Sequence, residues 1–406
     1  MPNQTETIQG RYTLLTHIPV YVSADGTVCT DALWEKDLSL HLEYIPDLHV
    51  YCPVFPADAS RKGEALIPKM GPERFHHIAQ NMSWSSVVRN LWPHFWAMGR
   101  VAKESDIVNA AGAGWPFPLC FYLLFWRWFY DFKLVMIMES SFWRLEPGET
   151  GSLRKRFAHT AHMWLIPKCL KMAKARIFTQ DEYRETLYGG HDACLVDPAV
   201  WYDAEQIETE AGLAARQTAA ETRGVRVILP ARLVAEKGIE TVLDALRVLA
   251  ARRPDSRGEL ALDIIGNGEL AEMCRGFAAT HEGPVTVRFL DPVPYGETFF
   301  SLLRDYDALI VANRKAEQPR IIYDGFSQGV PVIATRTTGT LAVAEDGVTA
   351  AMFDVDDAEG LADALEDLVA HPERFRNYGR AALAKAPELT HWGMHETRRK
   401  FLLEVL

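Results

Sequence analysis

Apolar segments with the two-residue period of strands alternate along this chain with segments of helical period. Strand patterns at residues 12–17, 48–52 and 133–138 are separated by helical stretches, and a second alternating series begins at residue 225. Strands that alternate with helices predict parallel sheets joined by right-handed crossovers. The fold class is therefore α/β, and 406 residues are enough for two such domains.

A polar stretch rich in Ala and Glu separates the two series. It covers residues 203–223, DAEQIETEAGLAARQTAAETR, and has the composition of a linker. We predict an N-terminal domain at 1–202 and a C-terminal domain at 224–385. The remaining residues, 386–406, are predicted to form a helix.

The second series opens with a segment suited to phosphate. A strand at 225–230 precedes Arg232 and Lys237, and a glycine then starts a helix with apolar residues at helical spacing. Two cations beside free backbone N–H groups at a helix start favour an anionic ligand. Gly266 follows the next strand, where the backbone must pass close to a neighbour. A tight turn without any ligand would look the same there.

Two carboxylates mark the block EQPRIIYDGFSQGVP. Glu317 and Asp324 follow the apolar strand at 308–312 and are seven residues apart, which is close to two helical turns. We predict that both lie on one face of an amphipathic helix. Carboxylates accept paired hydrogen bonds from the neighbouring hydroxyls of a sugar or a ribose. An ordinary helix with acids near its start is the alternative.

The order of these motifs resembles the C-terminal half of the retaining glycosyltransferases of family 4. ARLVAEKG, IIGNGEL and EQPRIIYDGFSQGVPVIAT are followed by a Thr-Gly-Thr turn at 338–340, and the resemblance spans residues 225–369. It implies the GT-B fold, in which two Rossmann-like domains face a central cleft. It also implies a UDP- or GDP-sugar donor, a glycan or lipid-linked acceptor, and return of the C-terminal helix to the first domain.

The resemblance assigns catalytic and donor-binding roles residue by residue. Arg232 and Lys237 match positions that bind the donor diphosphate. Asp324 takes the place of the second Glu of the E-x7-E motif, on the nucleotide ribose, and is one methylene shorter. The first acid of that motif is shifted by one residue to Glu317, near the donor sugar.

Three further positions join the predicted donor site. Gly266 belongs to the IIGNGEL segment, and Gly339 and Thr340 stand where the family commonly has two glycines whose N–H groups face the donor. The family often has an N-domain His near the transferred sugar. The matching stretches DIVNAAGAG and VMIMESSFW contain no His, so none is assigned.

Two D-x-D sequences have the spacing of a metal site on a diphosphate. Asp305 and Asp307 lie at a helix-to-strand junction, and Asp354 and Asp356 lie in a turn before a helix, where Asp is favoured as a cap. Because the phosphate loop already has two cations, we predict no metal and no cofactor besides the nucleotide-sugar substrate.

Nine of the eleven Trp residues precede residue 165. Trp34 follows a loop with Asp25 and Gly26, and an indole there could stack on an acceptor sugar. We predict that these three residues contact the acceptor. Core packing is the alternative for any single Trp, since indole buries a large area.

Residues 151–180 contain seven Lys or Arg and no Asp or Glu, interleaved with apolar residues such as Phe157 and Trp164. This composition is typical of a segment that lies on anionic lipid. A solvated basic helix, or a pocket for a charged lipid-diphosphate acceptor, would also have it.

Composition excludes other classes. A net charge of −11 argues against a general nucleic-acid binder. The six cysteines lack metal-ligand spacing, and no basic segment with a long apolar core begins the chain. The longest apolar run, 115–126, is too short to span a bilayer. We expect a cytoplasmic enzyme in contact with the inner face of the membrane.

Three alternatives remain. A GT-B epimerase or phosphorylase would use the same diphosphate site differently, although a lysine site for pyridoxal phosphate is not recognisable. A catalytically inactive GT-B homologue that acts as a binding or partner subunit would also retain it, and the shifted Glu317 and absent His keep that alternative open.

Overall fold

The computed structural model of this chain describes residues 6–57, 65–67, 69–113, 116–145, 150–253 and 259–406. The chain divides into two compact units, Met1–Ala199 with Met394–Leu406 and Val200–Gly393. The predicted α/β class is observed in both, since each unit has a parallel sheet of its own. The functional assignment of the domains stays a prediction.

The first unit contains a seven-stranded parallel sheet with the order β11-β10-β9-β8-β1-β4-β7. A small second sheet has the order β5-β2-β3-β6. The strands are β1 (Tyr12–Leu15), β2 (Val20–Val22), β3 (Val28–Thr30), β4 (Leu48–Cys52), β5 (Val54–Pro56), β6 (Ala65–Leu66), β7 (Phe75–His77), β8 (Ile107–Ala111), β9 (Lys133–Met138), β10 (Ala175–Phe178) and β11 (Cys194–Val196).

The helices of the first unit build two hydrophobic cores against the large sheet. One core contains side chains of α2, α3, α4 and α5, and the other contains side chains of α1 and of the C-terminal helix α14, His391–Val405. The helices are α1 (Ala32–Tyr44), α2 (Trp84–Glu104), α3 (Cys120–Trp126), α4 (Leu153–Met172) and α5 (Asp181–Leu187). The predicted apolar run ends in α3, and its first residue, Trp115, lies outside the described residues.

The second unit contains a six-stranded sheet with the order β14-β13-β12-β15-β16-β17, and every pairing in it is parallel. The strand order reverses between β12 and β15, and the carboxyl ends of strands at such a point form a crevice. The strands are β12 (Val225–Pro230), β13 (Leu260–Ile265), β14 (Val285–Leu290), β15 (Ala308–Val311), β16 (Val332–Thr335) and β17 (Ala350–Phe353).

Helices cover this second sheet. Leu213 of α6 is buried within the unit, so the stretch predicted as a linker contains a packed helix. The helices are α6 (Glu210–Ala219), α7 (Ile239–Arg252), α8 (Ala271–Thr280), α9 (Glu297–Leu303), α10 (Ile321–Ser327), α11 (Thr338–Leu341), α12 (Ala358–Ala370), α13 (Pro372–Lys385) and α14 (His391–Val405). From Met394 onward, α14 clusters with the first unit, where Arg398 Nε donates to buried Asp197 at 2.9 Å.

Candidate functional site

A cavity of about 420 Å³ opens at the reversal point of the second unit's sheet, beside the carboxyl ends of β12, β13 and β15. Loops after these strands form one side of it, and the first turn of α10 contributes another. Seven of the residues that line it are polar or glycine: Arg232, Lys237, Gly266, Tyr295, Asn313, Arg320 and Asp324. Four of the predicted donor-site residues therefore line one cavity.

The two cations of the predicted phosphate loop reach this cavity from the segment between β12 and α7. Arg232 lies two residues after β12, and Lys237 ends a 3₁₀ turn, Ala235–Lys237. Lys237 Nζ forms an ion pair with a carboxylate oxygen of Glu317. One of the two cations is thus paired with an acid of the predicted site.

Glu317 is not on a helix, and the prediction that it shares a helical face with Asp324 is wrong. Helix α10 begins at Ile321, with Arg320 as its N-cap. Pro319 disfavours helical geometry at Gln318, so the helix cannot extend back to Glu317. The ion pair with Lys237, rather than helical spacing, holds Glu317 near the cavity.

Asp324 is the buried acid of the site, with 2% of its surface exposed. Its Oδ1 accepts a hydrogen bond from the hydroxyl of Tyr295 at 2.6 Å. Burial raises the pKa of Asp324 to about 6, although Arg320 and the Tyr295 hydrogen bond both act to lower it. This carboxylate can change charge close to neutral pH.

Tyr295 and Arg320 are site residues that the sequence reasoning missed. The Arg320 guanidinium lies over two rings, 5.6 Å from the centroid of Tyr295 and 5.4 Å from that of Trp201. Burial together with the adjacent Asp324 raises the pKa of Tyr295, so its hydroxyl remains a hydrogen-bond donor. Arg320 stands within the EQPRIIYDG block, and Tyr295 follows β14 in a Pro-flanked loop; those were the available signals.

Two glycines of the predicted site are required by close backbone contacts. A Cβ at Gly266, whose φ is +149°, would lie 1.8 Å from the carbonyl oxygen of Ala231. A Cβ at Gly339 would lie 2.2 Å from the carbonyl oxygen of Glu317. Gly266 thus packs the β13 loop onto the phosphate loop, and Gly339 packs the start of α11 onto the segment that holds Glu317.

Thr340 is engaged in capping α11. Its N–H donates to Thr337 Oγ1 at 3.2 Å, and its buried hydroxyl bonds the backbone of Thr335 and Thr337. These bonds favour a structural role for the Thr340 side chain. Its donor contact stays a prediction.

A sequence model of the family described as glycosyl transferases group 1 matches residues 214–385, which include all of these cavity residues. This segment belongs to that family. One curated relative of this chain is the GDP-mannose-dependent alpha-(1-6)-phosphatidylinositol monomannoside mannosyltransferase of Mycolicibacterium smegmatis. It is 31% identical over 186 residues, which cover 44% of this chain and 47% of the relative.

A second curated relative is the lipopolysaccharide core biosynthesis glycosyltransferase LpsE of Rhizobium meliloti. It is 29% identical over 139 residues, which cover 34% of this chain and 38% of the relative. The matched region therefore spans less than half of the length of each of these two relatives.

Solved structures match nearly the whole chain. HepE of Anabaena, in complex with UDP-glucose, has a TM-score of 0.65 at 16% identity and covers 98% of this chain and 100% of its own. Sucrose-phosphate synthase of Thermosynechococcus elongatus has a TM-score of 0.69 at 14% identity, with 98% of both chains covered. The chain has the GT-B fold, and that prediction is confirmed.

The predicted acceptor residues lie outside the group 1 segment, in the first unit. Asp25 and Gly26 form the turn between β2 and β3, where Asp25 Oδ1 accepts from the Thr27 N–H at 3.0 Å and this bond lowers the pKa of Asp25. Trp34 is only 7% exposed and packs within the core of α1. This placement favours the packing alternative for Trp34, and the acceptor contacts stay predictions.

Asp307 and Asp356 of the two D-x-D sequences form ion pairs within the second unit. Asp307 pairs with Arg223 at 2.7 Å. Asp356 pairs with Arg314 at 2.5 Å and accepts from Thr241 Oγ1 at 3.1 Å. These ion pairs and the hydrogen bond favour a structural role for Asp307 and Asp356.

The basic stretch at 151–180 forms α4 and β10 of the first unit. Arg154, Arg156 and Lys171 are exposed, but Arg176 is buried. Its guanidinium donates to the carbonyl oxygens of Leu170, Ala173 and Asp192. Arg176 thus satisfies carbonyls at the end of α4 and cannot contact lipid. Within the described ranges, no helix is both long and apolar enough to cross a bilayer.

Proposed function

We propose that this protein is a retaining glycosyltransferase that moves a hexosyl group from a nucleotide sugar to a glycan or lipid-linked glycan, in the synthesis of a cell-surface polysaccharide. One observation carries the proposal: Arg232, Lys237, Gly266 and Asp324 line a single cavity at the reversal point of a parallel sheet. That placement combines positive charge for a diphosphate with a buried acceptor for ribose hydroxyls.

The donor diphosphate would occupy the part of the cavity beside Arg232 and Lys237. Negative charge builds on the bridging oxygen as the nucleoside diphosphate leaves, and preorganised cations stabilise that charge. Lys237 would turn from Glu317 toward the phosphate, which frees the Glu317 carboxylate to orient donor sugar hydroxyls. The acceptor hydroxyl would attack from the same face, with the leaving phosphate as its base.

Asp324 would bind the ribose in this scheme. An ionised carboxylate accepts two hydroxyl hydrogen bonds, and Tyr295 already occupies one side of Oδ1. We propose a UDP- or GDP-sugar as the donor and no metal requirement, since two side-chain cations face the diphosphate.

A thermal-shift screen with UDP, GDP, ADP and their sugars tests the donor site. A nucleotide at a hundred times its dissociation constant stabilises a protein by about 2.7 kcal/mol, and Arg232→Ala should remove most of that gain. Incubation of the protein with a panel of nucleotide sugars, followed by identification of the products, then tests the reaction. Slow donor hydrolysis supports the transferase, inversion at C2 would support an epimerase, and binding without turnover would support an inactive homologue.

We also propose that the exposed basic residues of 151–180 contact anionic lipid at the inner face of the cytoplasmic membrane. Exposed Arg154, Arg156 and Lys171 support this contact. All six cysteines are free, which supports a reducing compartment.

A further inference from the structure

Four helices of the first unit lie on the same face of its large sheet. Helices α2, α3, α4 and α5 each precede a strand that lies further toward β11 in the order β11-β10-β9-β8-β1-β4-β7. Right-handed crossovers in one direction place the connecting helices on one face. Their shared hydrophobic core agrees with that placement. Their outward sides therefore form one continuous surface.

The outward side of α2 and α3 is strongly aromatic. Trp92 is 65% exposed, and Trp128, just after α3, is 85% exposed. We define the aromatic patch as the five exposed aromatic side chains of this region: Trp92, Trp96, Phe125, Trp128 and Phe129. Partly buried Phe95 joins them, with ring centroids 5.8 Å from Trp92, 5.3 Å from Trp96 and 5.1 Å from Phe125. Large exposed apolar patches of this kind mark interaction surfaces.

The surface that surrounds the aromatic patch is basic, within a chain of net charge −11. Helix α2 contains three Lys or Arg and one acid, Glu104, and Arg127 after α3 pairs with Asp131 at 2.8 Å. Helix α4 contains five Lys or Arg and no Asp or Glu. Most of the net positive charge of this surface therefore comes from α4, and Asp181 and Glu182 follow it in the first turn of α5. The charge of this surface is therefore complementary to an anionic partner.

A groove formed by residues of α2 and α4 has a lining that suits a lipid. It has a volume of about 700 Å³ and lies between the first turns of α2 and α4. Trp84 and Phe157 meet in it with ring centroids 6.2 Å apart, and Leu153 adds a further apolar wall. Arg154 provides a cation at the same groove. An apolar wall with one cation suits an acyl chain that ends in a phosphate.

We propose that the aromatic patch is the surface that inserts into an anionic lipid bilayer, with Trp92, Trp96 and Trp128 at the level of the headgroups. Trp is enriched at membrane interfaces because its ring is apolar and its N–H is polar, and basic neighbours add attraction to anionic headgroups. The proposal deepens the membrane contact proposed above and rests on it: α2 and α3 insert, whereas α4 supplies charge.

Cosedimentation of the full chain with lipid vesicles tests this assignment. One set of vesicles is phosphatidylcholine alone, and the other contains about a third phosphatidylglycerol. Two double variants remove different parts of the patch, Trp92→Ser with Trp96→Ser and Trp128→Ser with Phe129→Ser. Trp392→Ser is the matched control, because Trp392 is 57% exposed but lies in the second unit.

Wild type and the Trp392→Ser control should bind the anionic vesicles, and both patch variants should bind them about tenfold more weakly. Nucleotide-induced thermal shifts should be unchanged in all four proteins, which also verifies folding. If one of the two patch variants fails to fold, the vesicle binding of the other variant still tests the proposal.

Patch variants that bind like wild type would overturn the insertion proposal alone and leave the contact through α4 in place. If wild type binds phosphatidylcholine vesicles as well as it binds the anionic vesicles, the proposal that the lipid must be anionic is wrong. A wild-type dimer that the patch variants abolish would overturn the insertion proposal, and wild type that binds no vesicle at low salt would overturn the membrane contact altogether. Glycosyl transfer would survive each of these outcomes, since donor hydrolysis reports on it separately.

Discussion

The hydroxyl of Tyr295 donates a hydrogen bond to Oδ1 of Asp324 at 2.6 Å, in the wall of the cavity at the reversal point of the second unit's sheet. The bond leaves Oδ2, and the second lone pair of Oδ1, for a ligand. It also stabilises the ionised form of a carboxylate whose pKa burial has raised to about 6. Tyr295 thus sets both the orientation and the charge of the residue proposed to bind ribose.

Replacing Asp324 should separate nucleotide affinity from stability. Asp324→Asn keeps the shape but removes charge-assisted hydrogen bonds, so nucleotide affinity should fall by about 1.5 to 3 kcal/mol. Ionising the buried carboxylate costs on the order of 3 kcal/mol above pH 6, so the variant should melt at a higher temperature near pH 8. Calorimetric titration and a melting curve measure the two effects.

Asp307→Asn is the control for this prediction. Asp307 lies in the same unit and pairs with Arg223, outside the cavity. Its replacement should leave nucleotide affinity unchanged and should not raise the melting temperature. If Asp324→Asn binds UDP and GDP as tightly as the wild type does, Asp324 does not bind the ribose.

Nucleotide affinity should depend on pH through Asp324. The folded-state pKa of about 6 lies above the ordinary value of 3.8, so the ionised form destabilises the folded protein above pH 6. That penalty disappears as the pH falls toward about 4, and the unliganded protein gains stability there. Ribose hydroxyls need the ionised acceptor, so affinity should fall about tenfold per pH unit below the pKa.

Tyr295→Phe supplies the internal test of this pH dependence. The variant loses the hydrogen bond that lowers the pKa of Asp324, so the affinity midpoint should move to higher pH. Asp324→Asn should abolish the midpoint. A midpoint that stays in place in Tyr295→Phe would show that another group titrates.

Local periodicity predicted several strands, but not helix α6 in the stretch assigned as a linker. The predicted strand at 225–230 coincides with β12, and that at 133–138 coincides with β9. The start of α10 could also be predicted, because Pro319 disfavours helix before it. The seven-residue spacing of Glu317 and Asp324 does not by itself indicate a shared helix. Burial of Trp34 depends on packing between strands and a helix, which local spacing does not report.

The group 1 motifs identified the cations of the site, but not the contacts that tune its acids. Tyr295 and Asp324 are 29 residues apart, and Lys237 and Glu317 are 80 apart. Such pairs arise only when the loops after β12, β14 and β15 converge at one edge of the sheet. The role of Arg176 also depends on the tertiary structure. Its charge suggested a contact with lipid, but its guanidinium donates to carbonyl oxygens at the end of α4.

Lys237 and Glu317 should differ in how their replacement affects turnover. Lys237→Ala removes a preorganised charge from the diphosphate, so turnover should fall by about two to three powers of ten. Its ion pair is partly exposed, so the melting temperature should change little. Glu317→Gln should lower the rate of transfer or donor hydrolysis more than the affinity for the nucleotide sugar.

Lys385→Ala is the matched lysine control, since Lys385 pairs with Glu345 at 3.6 Å and does not line the cavity. It should retain wild-type turnover. Near-normal activity of Lys237→Ala would exclude Lys237 from the mechanism. Identical effects of Glu317→Gln and Asp324→Asn on binding of a nucleoside diphosphate without sugar would contradict their separate roles.

The charge contribution of α4 to membrane contact should be sensitive to salt. Replacing Arg154, Lys155 and Arg156 with Ser removes three positive charges from the first turn of the helix, each worth about 1 kcal/mol near an anionic surface. Binding to anionic vesicles should then fall sharply at low salt. Wild-type binding should weaken as salt approaches about 1 M, where the screening length is near 3 Å.

The control triple variant replaces Arg247, Arg275 and Arg380 with Ser. These arginines lie in the second unit, so the variant loses the same charge from a different part of the chain. It should bind vesicles like wild type, and both triple variants should retain donor hydrolysis. Equal loss of binding in the two variants would mean that net charge alone governs the interaction. In that case α4 would be a solvated basic helix or part of an acceptor pocket, and the proposal that it contacts the bilayer would be wrong.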